Sequence, residues 1–373
     1  MEARKQGEDD AMTRQFPIRP WVLGIAAAAF AATAAYALIW RAGAAEVRRQ
    51  ISELADPASP TAGAAQLRYE NLATGGFPFF LRVDLDAPEI AAGGRFAWTA
   101  DELSVHAVPH DPSHLAAKAF GRQIVTWRDG AGRDQEWALE PKTARASLTH
   151  NDGRERLVIE LQEATALQQA GAAIGGDVAF SLLQISIDRP DGVGEADENI
   201  LAGAAVRGLR VAPRAGALAL ATPISIDSAY AVLEIPAADF DDASAGGAML
   251  ARWLDSGPAF RLAAFEMTAG PLVMAARGAL NIEADGHIAG EITARLNNVE
   301  AFVDMLAGDD QITEEQREGI IATLTLIGAA QGLSSTDGAQ GLELPLTAQS
   351  GRLYVGPIAI AEIPRVTSLL GAR

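Results

Sequence analysis

From Phe79 to the C-terminus the chain alternates apolar and polar residues with a period of two, again and again, and this pattern constrains the fold most. Phe79, Leu81, Val83 and Leu85 oppose Phe80, Arg82, Asp84 and Asp86, while Phe96, Trp98 and Ala100, then Leu103, Val105 and Ala107, continue the rhythm. Successive side chains of a strand point to opposite faces, so such a run suits a sheet with one face covered. Turn residues separate the runs. Ala146 and Leu148 reach Asn151-Asp152-Gly153 before Leu157, Ile159 and Leu161. Leu280, Ile282 and Ala284 reach Asp285-Gly286 before Ile288, Ile292, Ala294 and Leu296. Leu342, Leu344 and Leu346 reach Ser350-Gly351 before Leu353 and Val355. Asp-Gly between alternating apolar residues is a strong hairpin signal, because both turn positions need a positive φ. The chain is therefore expected to be mainly antiparallel β.

Helical spacing interrupts this pattern in a few places. Ser244 to Asp255 sets Leu250, Trp253 and Leu254 on one side and ends at Gly257-Pro258. Asn298 to Leu306 carries Phe302 and Leu306 four residues apart. Thr313 with Gln316 forms a capping box, followed by a stripe of Ile320, Leu324 and Ile327 that ends at Gly332. The expected fold class is α+β and mainly antiparallel: a curved sheet of repeated hairpins with a few packed helices, preceded by one N-terminal transmembrane helix.

That transmembrane expectation rests on Trp21 to Trp40, twenty residues without a charge. At 1.5 Å per residue such a helix spans about 30 Å, the thickness of a bilayer core, and Trp at each end with Tyr36 suits the interface. Ala42-Gly43-Ala44 offers a small-residue cleavage site, but the length of the run and the polar tail before it favour a retained anchor. Arg4, Lys5, Arg14 and Arg19 precede the run and Arg41, Arg48 and Arg49 follow it, a slight bias toward a cytoplasmic N-terminus. Residues 1–19 are thus read as a cytoplasmic tail, 20–40 as the membrane helix and 41–66 as a stalk. In the stalk, Val47, Ile51 and Leu54 keep helical spacing until Asp56-Pro57. A β-rich half over 67–190 and an α+β half over 191–373 meet at Arg189–Gly194, a run of turn residues, or form one continuous domain from 67. The expected location is a bacterial inner membrane, crossed once through residues 21–40, with the bulk of the chain in the periplasm.

Charge and composition narrow the partners. Residues 1–49 carry seven Lys+Arg and five Asp+Glu, leaving 23 and 43 for the rest. A region so acidic repels nucleic acid and anionic headgroups. The absence of cysteine excludes disulfides, thiolate metal sites and cysteine nucleophiles.

Four segments, taken in order, resemble the family known as domain of unknown function 2125, whose members are proteobacterial envelope proteins. They are Gly76-Phe77-Pro78-Phe79; Trp98-x-Ala100-x-x-Leu103; the Pro109–Pro112 turn leading to Phe120-Gly121-Arg122-Gln123; and Ser350-Gly351-Arg352-Leu353-Tyr354-Val355-Gly356-Pro357 with Pro364. The hairpin over 278–306 is similar, more loosely, to those of AsmA-like envelope proteins, which form long β-grooves for lipids. The resemblance implies a membrane-anchored, β-rich periplasmic protein without an established activity.

Motifs for chemistry are missing. The chain has no G-x-S-x-G elbow, no H-E-x-x-H, no phosphate-binding loop and no dinucleotide fingerprint. His106, His110 and His114 would align on a helix, but Pro109 and Pro112 forbid one, so no metal site is assigned. Asp239, Asp241 and Asp242 lack the spacing of a calcium loop and suit a helix entry. No catalytic residue, cofactor or metal is expected, and the chain reads as non-enzymatic. Two roles remain open. Phe77, Phe79, Leu81, Val83, Phe96 and Trp98 line part of an apolar groove for a lipid-like ligand, or they form a closed core in a scaffold that binds another envelope protein.

Overall fold

The computed structural model describes residues 20–56, 65–92, 96–108, 111–128, 132–170, 176–190, 199–213, 224–237, 256–311, 313–330, 341–363 and 365. The helix expected over 244–255, the acidic cluster at 239–242, the N-terminal tail and His110 lie outside them. The first described element is a 36-residue helix, α1 (Pro20–Ala55), which stops just before Asp56-Pro57, where proline disfavours further helix. The run Trp21–Trp40 lies in its first part, and the side chains of residues 20–34 are outside the described set. Among the described residues no helix is long and apolar enough to cross a membrane.

Among the described residues seventeen strands then form one sheet. In order they are β1 (Ala65–Arg68), β2 (Asn71–Gly75), β3 (Leu81–Asp86), β4 (Glu89–Ala92), β5 (Phe96–Val108), β6 (Asp111–Arg128), β7 (Asp134–Asn151), β8 (Arg154–Ala170) and β9 (Gly176–Pro190). They continue with β10 (Asn199–Pro213), β11 (Ile224–Pro236), β12 (Ala259–Ala269), β13 (Leu272–Ile282) and β14 (Ile288–Leu296). Two helices follow, α2 (Val299–Gln311) and α3 (Glu314–Ala330), before β15 (Leu342–Gln349), β16 (Arg352–Val355) and β17 (Ile358–Glu362). Every pairing is antiparallel. β3 and β4 lie end to end along one edge of β5, with β2 outside β3 and β1 outside β4. From β5 onward each strand pairs with the next in sequence, including β9 with β10, on either side of residues 191–198. β6 and β7 have 18 residues each, so the sheet is about 60 Å long there.

The hairpin turns follow the turn chemistry. Asp152 and Gly153 have φ of 53° and 72°, and Ser350 and Gly351 have 51° and 75°, the paired positive angles of a turn that matches strand twist. A line of irregular residues crosses the N-terminal strands at mid-height. Ala87, Gly121, Glu163 and Gly208 all have positive φ, and register shifts fall at Ala100/Glu102 and Ala119/Gln123. At this line the buried positions change phase: Ala144 is buried on one side, Trp137 and Gln135 on the other. An extra residue in a strand bends it, so the line acts as a crease. Gly121 is required here, because a Cβ would fall on the Asp101 carboxylate that accepts the Arg122 backbone N–H at 3.0 Å.

The main core lies at the C-terminal end. Asn298 caps α2 by accepting the Ala301 N–H at 3.0 Å, and Phe302, Val303 and Leu324 from the two helices pack on Leu272, Leu296, Leu342, Leu344 and Leu346. The strand pattern there alternates strictly, β15 reading buried and exposed in turn through all eight residues.

Candidate functional site

In an antiparallel sheet, residues directly opposite one another share a face. One such row begins at Val83 and passes through Val105, Ala117, Ala146, Ile159, Ile185, Ala204, Ala231, Phe265, Ala276 and Ala294 to Leu344. It crosses twelve strands without a polar side chain. A second row runs beside it from Leu85 through Leu103, Ala119, Ala144, Leu161, Leu183, Val206, Ala229, Met267, Met274 and Leu296 to Leu342. The third runs from Leu81 and Ala107 through Leu115, Leu148, Leu157, Ile187, Ala202, Leu233, Leu262, Gly278 and Ile292 to Leu346. At about 4.8 Å per strand the stripe extends over roughly 50 Å, and three alternate residues make it about 13 Å wide.

The opposite face is polar. The row offset by one residue includes Asp84, Ser104, Lys118, Arg145, Glu160, Gln184, Glu266, Arg295 and Glu343. Ion pairs tie its neighbours together, Arg145 to Glu160 at 2.6 Å and Lys142 to Glu163 at 2.9 Å. The Arg145 guanidinium holds the Glu160 carboxyl below the usual carboxylate range. The sheet is thus amphipathic across its thickness.

Cover on the apolar stripe is uneven. Val83 and Leu85 are buried at one end, and Leu344 and Leu346 are buried under α2 and α3 at the other. Between them Ile159, Ile185 and Ile187 remain 38%, 42% and 40% exposed. Three large β-branched side chains side by side on adjacent strands make an apolar surface in contact with water.

The six residues expected to line a groove fall in three places. Leu81 and Val83 lie on the stripe, in its third and first rows. Phe77 and Phe79 stand beyond it, in the turn between β2 and β3, 46% and 78% exposed. Phe79 therefore does not extend the alternation of Leu81 and Val83. Phe96 and Trp98 lie across the crease, where Trp98 pairs with Ile90 and Val125 and donates its indole N–H to Gln123 Oε1 at 3.1 Å. The central residues of the stripe are not among the six; Leu157, Ile159 and Leu161 stand in a run expected as a strand, and Leu183-x-Ile185-x-Ile187 alternates as strictly.

One polar cluster merits a chemical test. The Ser104 hydroxyl lies 2.6 Å from Asp84 Oδ1 and 3.1 Å from His106 Nε2. Its proton goes to the carboxylate, whereas a nucleophilic serine gives its proton to an imidazole that a carboxylate orients from behind. The group reads as a side-chain ladder on the polar face. Among the described residues no three His, Asp or Glu side chains come together as metal ligands.

Fold and face together define a class: an antiparallel meander that keeps a continuous apolar stripe on one face and charges on the other. Residues 40–364 match the family model for an uncharacterized protein conserved in bacteria, DUF2125, and the chain belongs to that family. No curated protein and no solved structure matches it.

Proposed function

We propose that this protein is a non-enzymatic carrier of acyl-chain lipids, anchored in a bacterial inner membrane by residues 21–40 with its sheet in the periplasm. The observation that carries this reading is the three-row stripe, continuous through twelve strands and exposed at Ile159, Ile185 and Ile187. Soluble proteins rarely leave such a surface in water without a ligand or partner for it. Acyl chains fit its chemistry, since it offers area without hydrogen-bonding groups. A photo-crosslinking side chain at 185 should capture lipid in cells, and the same group at Gln184, on the opposite face, should not. Mass spectrometry of the adducts identifies the lipid. Equal capture at both positions, or none at 185, would sink the reading.

A second reading is a scaffold for another envelope protein. What favours it is β17, which among the described residues shows a register with β16 alone; a strand edge is a template for added strands. Protein adducts at 185 in place of lipid would select this alternative.

A further inference from the structure

The turn between β2 and β3 is fastened to α1 by aromatic contacts. Tyr36 donates its hydroxyl proton to the Pro78 carbonyl, and Trp40 donates its indole N–H to the Phe80 carbonyl at 3.2 Å. The Phe77 ring lies between them, 5.6 Å from Trp40 edge to face and 6.1 Å from Tyr36. Farther down the same helix, Arg48 donates to Thr74 Oγ1 at 2.9 Å. These bonds hold the turn level with the last helical turn of the apolar run. Phe79, at the tip, has no ring partner among the described residues and is 78% exposed; Leu38, on the neighbouring helix, is also exposed.

We infer that this turn is a membrane-contact lip: Phe79 and Phe77 enter the interfacial layer of the same bilayer that receives the apolar part of α1. Tyr and Trp sit at the membrane–water interface because their rings gain on both sides, and here two such residues hold the turn at their own depth. A phenylalanine exposed in water is a cost; at the acyl–headgroup boundary its burial is favourable. Two residues beyond Phe79, Leu81 begins the third apolar row. The lip thus sets one end of the stripe against the lipid surface.

The inference rests on the anchored reading, and the experiment separates the two. The chain has no cysteine, so single replacements give unique attachment points for an environment-sensitive fluorophore. Full-length Phe79→Cys, Ala28→Cys and Arg352→Cys are labelled and reconstituted in phosphatidylethanolamine–phosphatidylglycerol vesicles containing lipids with a quencher at shallow or deep positions. The lip predicts that the label at 79 is blue-shifted and loses emission to the shallow quencher, the label at 28 to the deep one, and the label at 352 to neither. A label at 79 that stays in water while 28 is quenched overturns the lip and leaves the anchor standing. Absence of quenching at both 28 and 79 overturns the anchor, and the lip with it.

Discussion

The C-terminal end and the middle of one apolar stripe behave differently. Around β14 and β15 the stripe lies under α2 and α3, and Leu344 has no exposed surface. Six strands away from Leu344, in the same row, Ile185 is 42% exposed. The sequence pattern is alike in both places, since each strand alternates apolar with polar. Alternation therefore specifies an amphipathic strand and says nothing of what covers it. The covering is encoded elsewhere, in the two helices inserted between β14 and β15.

The largest expected effect tests this contrast directly. Leu344→Asp buries an unpaired carboxylate, which costs several kcal/mol and should abolish cooperative thermal unfolding followed by circular dichroism. Ile185→Asp in the same row should fold with a melting temperature close to that of the parent and lose lipid adducts. Equal collapse of both variants would erase the distinction between core and carrier surface. Next in size, Leu324→Ala should remove about 2–5 kcal/mol, because α3 cannot collapse into the space left. Ile185→Ala should cost much less in the same denaturant titration.

Phe79→Asp should change stability by no more than about 0.5 kcal/mol, as expected for an exposed turn position. It should reduce contact with vesicles, since a carboxylate is repelled by anionic headgroups. The smallest effect is electrostatic. Arg145 lowers the Glu160 carboxyl pKa in the folded protein, so the pair contributes stability above about pH 4.3, the unfolded value, and loses it as pH falls through the lower folded value. Glu160→Gln should flatten that acid limb by less than about 1 kcal/mol, given that the Arg145 side chain is 55% exposed. A stability–pH profile of the two proteins checks the sign.

Much of the sheet was legible because its signals are local. Asn151-Asp152-Gly153, Asp285-Gly286 and Ser350-Gly351 each place a hairpin turn where the observed one falls, and Asn298 and Thr313 mark the starts of the two helices. The crease was not legible. Glu163 takes φ of 47° with no Gly or Pro to announce it, so in the sequence the apolar phase slips without a marker. The stripe itself was invisible for another reason. It is a property of register, and register joins residues such as Val83 and Leu344 only through every strand between them. Phe79 misled because it continues the spacing of Leu81 and Val83 into a turn, and spacing alone cannot show where a strand begins.

Chain order gives the sheet a further property. Each ladder from β5 to β17 joins strands that follow one another in the chain, most of them across short connections, with longer ones over residues 237–258 and 297–341. Closing short loops costs little entropy, and pairing of sequence neighbours is quick among β topologies. A new strand needs only its predecessor to dock on, a topology that allows the sheet to be extended one strand at a time in the order in which the polypeptide is made.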